Sequence, residues 1–178
     1  QKKPNNIQTK PNKTKQGIVP EDWQISTISP VFKKGKKGSV ENYRPISLTC
    51  IVCKIRESII RNKILVFFQA NKLFTNKQYG FIKGRSTHLQ LLKVFDDWTK
   101  VLENKGQVDI IYTDFEKAFD KVPHSRLISK LNSYGLSSKL IKWIEAFLCH
   151  RSERVKINNA ISDLKPVLSG IPQGSVIG

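Results

Sequence analysis

The chain has 178 residues, with 31 Lys and Arg against 14 Asp and Glu for a formal charge of +17, and 39% of its residues are hydrophobic. That is enough for one domain, or one and a half small ones, with a real core, and so positive a surface favours polyanions, with nucleic acid first and a membrane surface second. No segment nears the roughly 18 apolar residues that a spanning helix needs, and the start, QKKPNNIQTKPNK, lacks the apolar centre of a secretory leader.

Residues 1–17 carry Lys2, Lys3, Lys10, Lys13 and Lys15 and no acid, and read as a flexible basic arm. WQISTISPVFKK, residues 23–34, reads as β structure, and GKKG at 35–38 as a turn between two extended segments. From Ser47 to about Leu73 the apolar residues Ile51, Ile55, Ile59, Ile60, Leu65 and Phe68 have helical spacing. A second helix is expected from Thr87 to Leu102, with Leu91, Leu92, Phe95, Trp98 and Leu102 on one side. VDIIY, residues 108–112, reads as a buried strand. Pro123 precedes a helix over 125–134 that Gly135 stops. Ser137 caps the next helix, whose core face is Leu140, Ile141, Ile144, Phe147 and Leu148. Segments 154–157 and 161–168 bracket Asn158-Asn159 as a hairpin, and SGIPQGSVIG is a glycine-rich loop leading toward a helix. Helices and strands mix without regular βαβ alternation, so the expected class is α+β.

Cys50, Cys53 and Cys149 make an odd count that suggests reduced thiols in an intracellular protein. Cys50 and Cys53 form a CxxC, but no second pair follows to complete four zinc ligands, so ordinary buried cysteine is expected.

Four windows hold the candidate chemistry. YTDFEKAFDKVPH, residues 112–124, puts Asp114 where the apolar run ends, and a carboxylate on such a rigid element could hold a hard divalent cation. Glu116 and Asp120, at i and i+4, suit a plain helix start. VFKKGKKGSVENYRP, residues 31–45, could fold cations over a phosphate chain, Lys as a point charge and Arg as a fork, or be a solvated charge run. In QYGFIKGRSTH, residues 78–88, Lys83 and Arg85 interleave with Tyr79 and Phe81, which suits phosphate contact with base stacking and equally a loop pinned by its aromatics. GIPQG, residues 170–174, allows close backbone approach beside a Gln that both donates and accepts, or is a simple turn.

The order of NYRPISL, QYGFIKGRST, YTDFEKAFDKV and SGIPQGS resembles the reverse-transcriptase family, most closely its LINE-type (non-LTR) retrotransposon branch, over Pro20 to Gly178. The resemblance implies a right-hand polymerase fold with an antiparallel sheet packed on helices, fingers over 18–107 and a partial palm over 108–178. Asp114 is then the first metal-binding Asp, with the Phe115 carbonyl as a further ligand for two Mg²⁺ (or Mn²⁺). Phe119 is implied as the steric gate against a ribose 2′-OH, Lys33 or its neighbour Lys34, with Arg44, as the triphosphate holders, and Gln173 and Gly174 as lining of the nucleotide and template pocket. Tyr79, Phe81, Lys83 and Arg85 fall to the template. The implied partners are RNA template, DNA primer and dNTPs, with no membrane; a nuclear and cytoplasmic ribonucleoprotein is the expected setting. The family's Tyr/Phe-x-Asp-Asp turn would follow Gly178, and the chain lacks an initiator Met, so a fragment inactive on its own is expected, with apolar surface exposed where the sheet is cut. The alternative function is a non-catalytic RNA-binding remnant of such a polymerase.

Overall fold

In the alternating sequence ISTISPVF, Ser26 and Ile28 turn inward and form the buried face of strand β1 (Ile25–Phe32). The computed structural model in which this strand lies describes residues 18–178, so the basic arm expected at 1–17 falls outside the described residues. β1 pairs antiparallel with β2 (Tyr43–Leu48) across the turn that GKKG begins, and the register sets Val31 opposite Arg44 and Pro30 opposite Pro45. Lys33 N–H donates to Asn42 O at 2.8 Å, so odd-numbered β1 residues hold the hydrogen-bonded positions with β2. The missing N–H of Pro30 therefore faces the other neighbour, β3 (Ser152–Ile157), and pairing with β3 ends at Ile28 opposite Val155, just before the proline.

The sheet runs β2-β1-β3-β4, with β5 also on β3. It is mixed rather than purely antiparallel, because β1 and β3 pair in parallel. The long helical connection between those two strands permits that direction. The expected hairpin forms around Asn158, whose φ of 52° suits a two-residue turn. Its second arm is broken into β4 (Ala160–Ile161) and β5 (Lys165–Pro166). Between them the Ser162 hydroxyl accepts the Val155 N–H at 2.9 Å.

Two compact units divide the described chain: residues 18–62 with 117–178, and residues 63–116. The first holds the core. Helices α4 (His124–Ser133) and α5 (Ser138–Leu148) are joined at Gly135, where φ is +81° and Leu136 N–H reaches back to Leu131 O. Ser137 stands at the cap position of α5 without a side-chain cap bond. Ile141, Trp143, Ile144, Phe147 and Leu148 are buried, whereas Leu140 is half-buried. Trp143 stacks on Phe147 at 5.2 Å. A short α1 (Glu21–Gln24) is tied to α5 by Gln24 Nε2 donating to Ala146 O. Helix α2 (Ile51–Ala70) starts in this unit, with Cys53 and Glu57 buried.

The second unit holds the end of α2, α3 (Thr87–Glu103) and the segment to Glu116. Ser86 caps α3, its hydroxyl accepting Leu89 N–H at 3.2 Å. The apolar side of α3 is exposed at Leu91, Leu92, Phe95 and Leu102. The expected buried strand at 108–112 does not form: the segment joins no ladder, and Ile111 is 89% exposed. An apolar run becomes a buried strand only when neighbours satisfy its backbone and layers cover its faces. The second unit contains no strand to supply either. Nor does a helix form over the last residues after SGIPQG.

Candidate functional site

Two loops close on the outer edge of β2. With Ser47 opposite Ile28, a non-hydrogen-bonded position, the Ser47 N–H points off the sheet, and the Gln173 carbonyl accepts it at 2.6 Å. Gly174 follows at φ +103°, and a Cβ there would lie 3.0 Å from Ser47 O. The residue must be glycine for conformation and for closeness. The 119–122 turn grips the same loop from the other side. Phe119 O accepts Ile171 N–H at 3.0 Å, Val122 O accepts Gly170 N–H at 2.9 Å, and Asp120 O accepts the Ser169 hydroxyl at 3.1 Å. Gly170 sits so near that a Cβ would come within 2.6 Å of Asp120 O. Across this seam Gln173 Nε2 donates to Asp120 Oδ1 at 2.7 Å. His124 Nε2 lies 2.7 Å from Gly170 O.

The loop is anchored beyond Gly174 as well. Glu57, fully buried on α2, accepts the N–H groups of Val176 at 2.7 Å and Ile177 at 3.2 Å, and its other oxygen takes the Cys53 thiol at 3.3 Å. Burial, with that bond to Glu57, pushes the Cys53 thiol up to about 12. Its thiolate is suppressed, in keeping with an ordinary buried cysteine rather than a ligand. Sequence reasoning did not mark Glu57, and it suggested Asp120 only as part of a helix start, where the structure has turns over 116–121 and α4 begins at His124. A signal for Glu57 existed: it is the one acid on α2, a turn from Cys53, where a buried acid needs partners.

Beneath the seam a cavity of about 150 Å³ is lined by Ser26, Ser47, Asp120, Arg151, Glu153 and Gln173 among others. Arg151 is only 2% exposed. Its Nη1 donates to Trp23 O and Phe147 O, and its guanidinium lies over the Phe147 ring at 4.9 Å. Its Nε and Nη2 have no hydrogen-bond partner among the described residues. Ile28, Pro45, Val167, Ile171 and Pro172 complete the lining, so polar groups and apolar walls share the space, which is large enough to admit water. Burial, and then the nearby Asp120 charge, raises the Glu153 carboxyl above its ordinary value, while Arg151 opposes the rise.

The basic hairpin belongs to the same unit. Arg44, opposite Val31, and Lys33, two positions further along the chain and bonded to Asn42 just past β1, share one face of the hairpin, close enough for diagonal neighbours. Lys34 lies past the last paired residue. Both Lys33 and Arg44 are exposed and form no ion pair among the described residues.

The remaining candidates lie in the second unit. Asp114 is exposed on the unladdered segment, and Phe115 is 84% exposed. Among the described residues no three His, Cys, Asp or Glu side chains gather as a metal cluster. In the 75–86 loop, Arg85 Nη1 donates to the carbonyls of Thr75, Asn76 and Gln78, and the guanidinium lies 5.7 Å from the Tyr79 ring centre. Arg85 is thus a staple that shapes this loop. Phe81 is held at φ +62° with its ring 88% exposed, a conformation that costs a bulky residue about 1–2 kcal/mol. Lys83 is exposed beside it.

A family model described as reverse transcriptase (RNA-dependent DNA polymerase) matches residues 32–178. The chain belongs to the reverse transcriptase family. It is 32% identical over 163 residues to the RNA-directed DNA polymerase from mobile element jockey of Drosophila melanogaster, covering 91% of this chain and 18% of the relative. It is 30% identical over 168 residues to a probable RNA-directed DNA polymerase from transposon BS, and 31% over 160 residues to one from transposon X-element, both of the same fly. Those matches cover 90% and 89% of this chain, and 18% of each relative. The reverse transcriptase chain thus spans about a fifth of the length of these relatives. All three come from mobile elements, in keeping with the branch that the motif order implied. Among the described residues no helix is long and apolar enough to cross a membrane.

Proposed function

We propose that this chain forms the nucleotide-handling part of an RNA-directed DNA polymerase that extends a DNA primer on an RNA template, with fingers over 18–107 and partial palm over 108–178 of a right-hand fold. The observation that carries this reading is the seam. The 119–122 turn and the 169–174 loop, about fifty residues apart in sequence, are joined by Phe119 O to Ile171 N–H and by Asp120 to Gln173, the Gln173 carbonyl holds Ser47 N–H on the β2 edge, and β2 itself carries Arg44.

In the proposed reaction the primer 3′-OH forms a bond to the α-phosphate of the dNTP, and the bond to the β-phosphate breaks as pyrophosphate leaves. Arg44 as a fork and Lys33 as a point charge hold the triphosphate from one face of the hairpin. The Phe119 ring, 43% exposed, takes the space that a ribose 2′-OH needs. Gln173 and Gly174 line the nucleotide pocket, and Tyr79, Phe81, Lys83 and Arg85 serve the template. The Asp114 carboxylate and Phe115 carbonyl are hard oxygen donors of the kind Mg²⁺ takes, and that ion keeps several waters beside one or two carboxylates, so this pair fits as part of its ligand set. Two bound Mg²⁺, or Mn²⁺, supply a lowered pKa at the attacking hydroxyl and charge stabilisation at the leaving pyrophosphate.

The test is single-nucleotide incorporation by Phe119→Val in the full-length protein. The ratio of kcat/KM for rNTP over dNTP should rise, whereas simple core loss would depress both substrates alike. An unchanged ratio removes Phe119 from the site. A wild-type protein that binds RNA and extends no primer makes the non-catalytic remnant the correct reading.

A further inference from the structure

We infer that Asp120 is a positioning residue: it fixes the side-chain amide of Gln173 with the carbonyl oxygen outward, so that Gln173 meets the nucleotide as a hydrogen-bond acceptor. The inference rests on the proposed nucleotide site and adds a residue and a polarity to it.

A glutamine amide has a broad, two-fold torsion at its end, so oxygen and nitrogen exchange places freely unless a neighbour distinguishes them. Asp120 does so. Its Oδ1 lies 2.7 Å from Gln173 Nε2, and the reversed amide would set an oxygen against a carboxylate oxygen. The bond is charge-assisted and half-buried, so it is stronger than its neutral equivalent. The Asp120 backbone cannot drift from the loop it serves. Its carbonyl holds the Ser169 hydroxyl, and Gly170 packs against it with no space for a Cβ. The Gln173 backbone is fixed too, by Ser47 N–H. With both backbones pinned and one Nε2 hydrogen given to the Asp120 carboxylate, the amide cannot reverse, and Oε1 keeps its lone pairs for a ligand O–H or N–H.

The decisive experiment is a polarity swap in the full-length protein, read as KM for dNTP against kcat. Gln173→Glu sets two carboxylates together and should raise KM roughly tenfold to a hundredfold. Asp120→Asn alone can still accept from Gln173 and should change KM only a few-fold. Combined with Gln173→Glu it restores one donor and one acceptor, with the acceptor again outward, and should recover most of the lost KM. Asp120→Ala should raise KM in the wild-type background and do nothing further in Gln173→Ala. A purely structural aspartate gives additive effects and no recovery by the swap, and either result overturns the inference. Wild-type protein that extends no primer sinks the polymerase reading instead. The inference is then read in this chain by the ¹⁵N–¹H resonances of the Gln173 amide. Two sharp, inequivalent signals that exchange faster in Asp120→Ala support it, and signals unaffected by that change refute it.

Discussion

Gln173 and Asp114 are assigned neighbouring tasks in the proposed site, yet the chain builds their surroundings in opposite ways. Gln173 is held by its carbonyl to Ser47, by its amide to Asp120 and, through the next few residues, by Glu57. Asp114 sits in an exposed segment that joins no ladder, and its side chain has no partner among the described residues. The first arrangement is preorganised by contacts within its own unit. The second has the right donor chemistry without the rigid element that would aim it. Substitutions should therefore separate into those that lose fold and those that lose chemistry.

The largest effect is expected at Asp114. Asp114→Asn in the full-length protein should lower primer extension by more than the roughly hundredfold that loss of even an outer partner of a metal ligand can cost. The melting temperature of this chain should not move, because nothing in the fold leans on that carboxylate. Asp120→Asn should keep substantial activity, since its acceptor survives. Polymerase activity retained in Asp114→Asn would break the comparison at its first point.

Glu57→Leu should give the converse. It strips two half-buried N–H groups, and the buried Cys53 thiol, of their acceptor at about 1–3 kcal/mol for each N–H, so chemical denaturation of this chain should show a loss of about 3 kcal/mol. Glu57→Gln, which keeps one acceptor, should lose less. Equal stability of Leu and wild type would mean that the 175–178 backbone is not anchored as described.

Much of this division was legible in the sequence and part was not. Gly135 announced the end of α4 because only glycine enters that conformation cheaply, and the core face of α5 followed from spacing, apart from half-buried Leu140 and buried Trp143, which the spacing left out. The ends of α2 and α3 were less sharply marked, since Lys72 and Lys105 occupy the left-handed position there, at φ 52° and 57°. The apolar run 108–112 looked like a strand because composition reports what a segment needs, not whether its neighbours provide it. The split of the second hairpin arm turns on one Ser162 hydroxyl replacing a backbone acceptor, which no pattern encodes. Motif order pointed to Gln173. The reason that its amide has a direction lies 53 residues upstream in Asp120, whose acidic window had an adequate local explanation.

Phe81 offers a smaller test in the second unit. Its exposed ring and left-handed backbone give it little to do for stability. Phe81→Ala should leave the melting temperature unchanged while weakening binding of single-stranded RNA by about 1–3 kcal/mol, the range for one base stacked on an aromatic. The slope of affinity against salt should stay the same, because a stack releases no counterions. A reduced slope, or unchanged affinity, would remove Phe81 from the template surface.

The finest effect belongs to Glu153, on the cavity wall of the first unit. Burial raises its carboxyl above the ordinary 4.5, and the Asp120 charge adds to the rise. A carboxyl raised on folding takes up its proton more readily in the native state. Its contribution favours the fold at low pH and is lost as pH climbs from about 4.5 through the raised value. Glu153→Gln removes that loss, so the variant should be slightly more stable than wild type at pH 7. The two should converge toward pH 4, where wild type is protonated as well. Asp120→Asn removes one of the two raising influences and should narrow the Gln variant's advantage. Denaturation midpoints at pH 4, 5.5 and 7 decide it. A Glu153→Gln variant less stable than wild type at neutral pH would mean that water in the cavity, or Arg151, holds the ionised carboxylate better than its burial suggests.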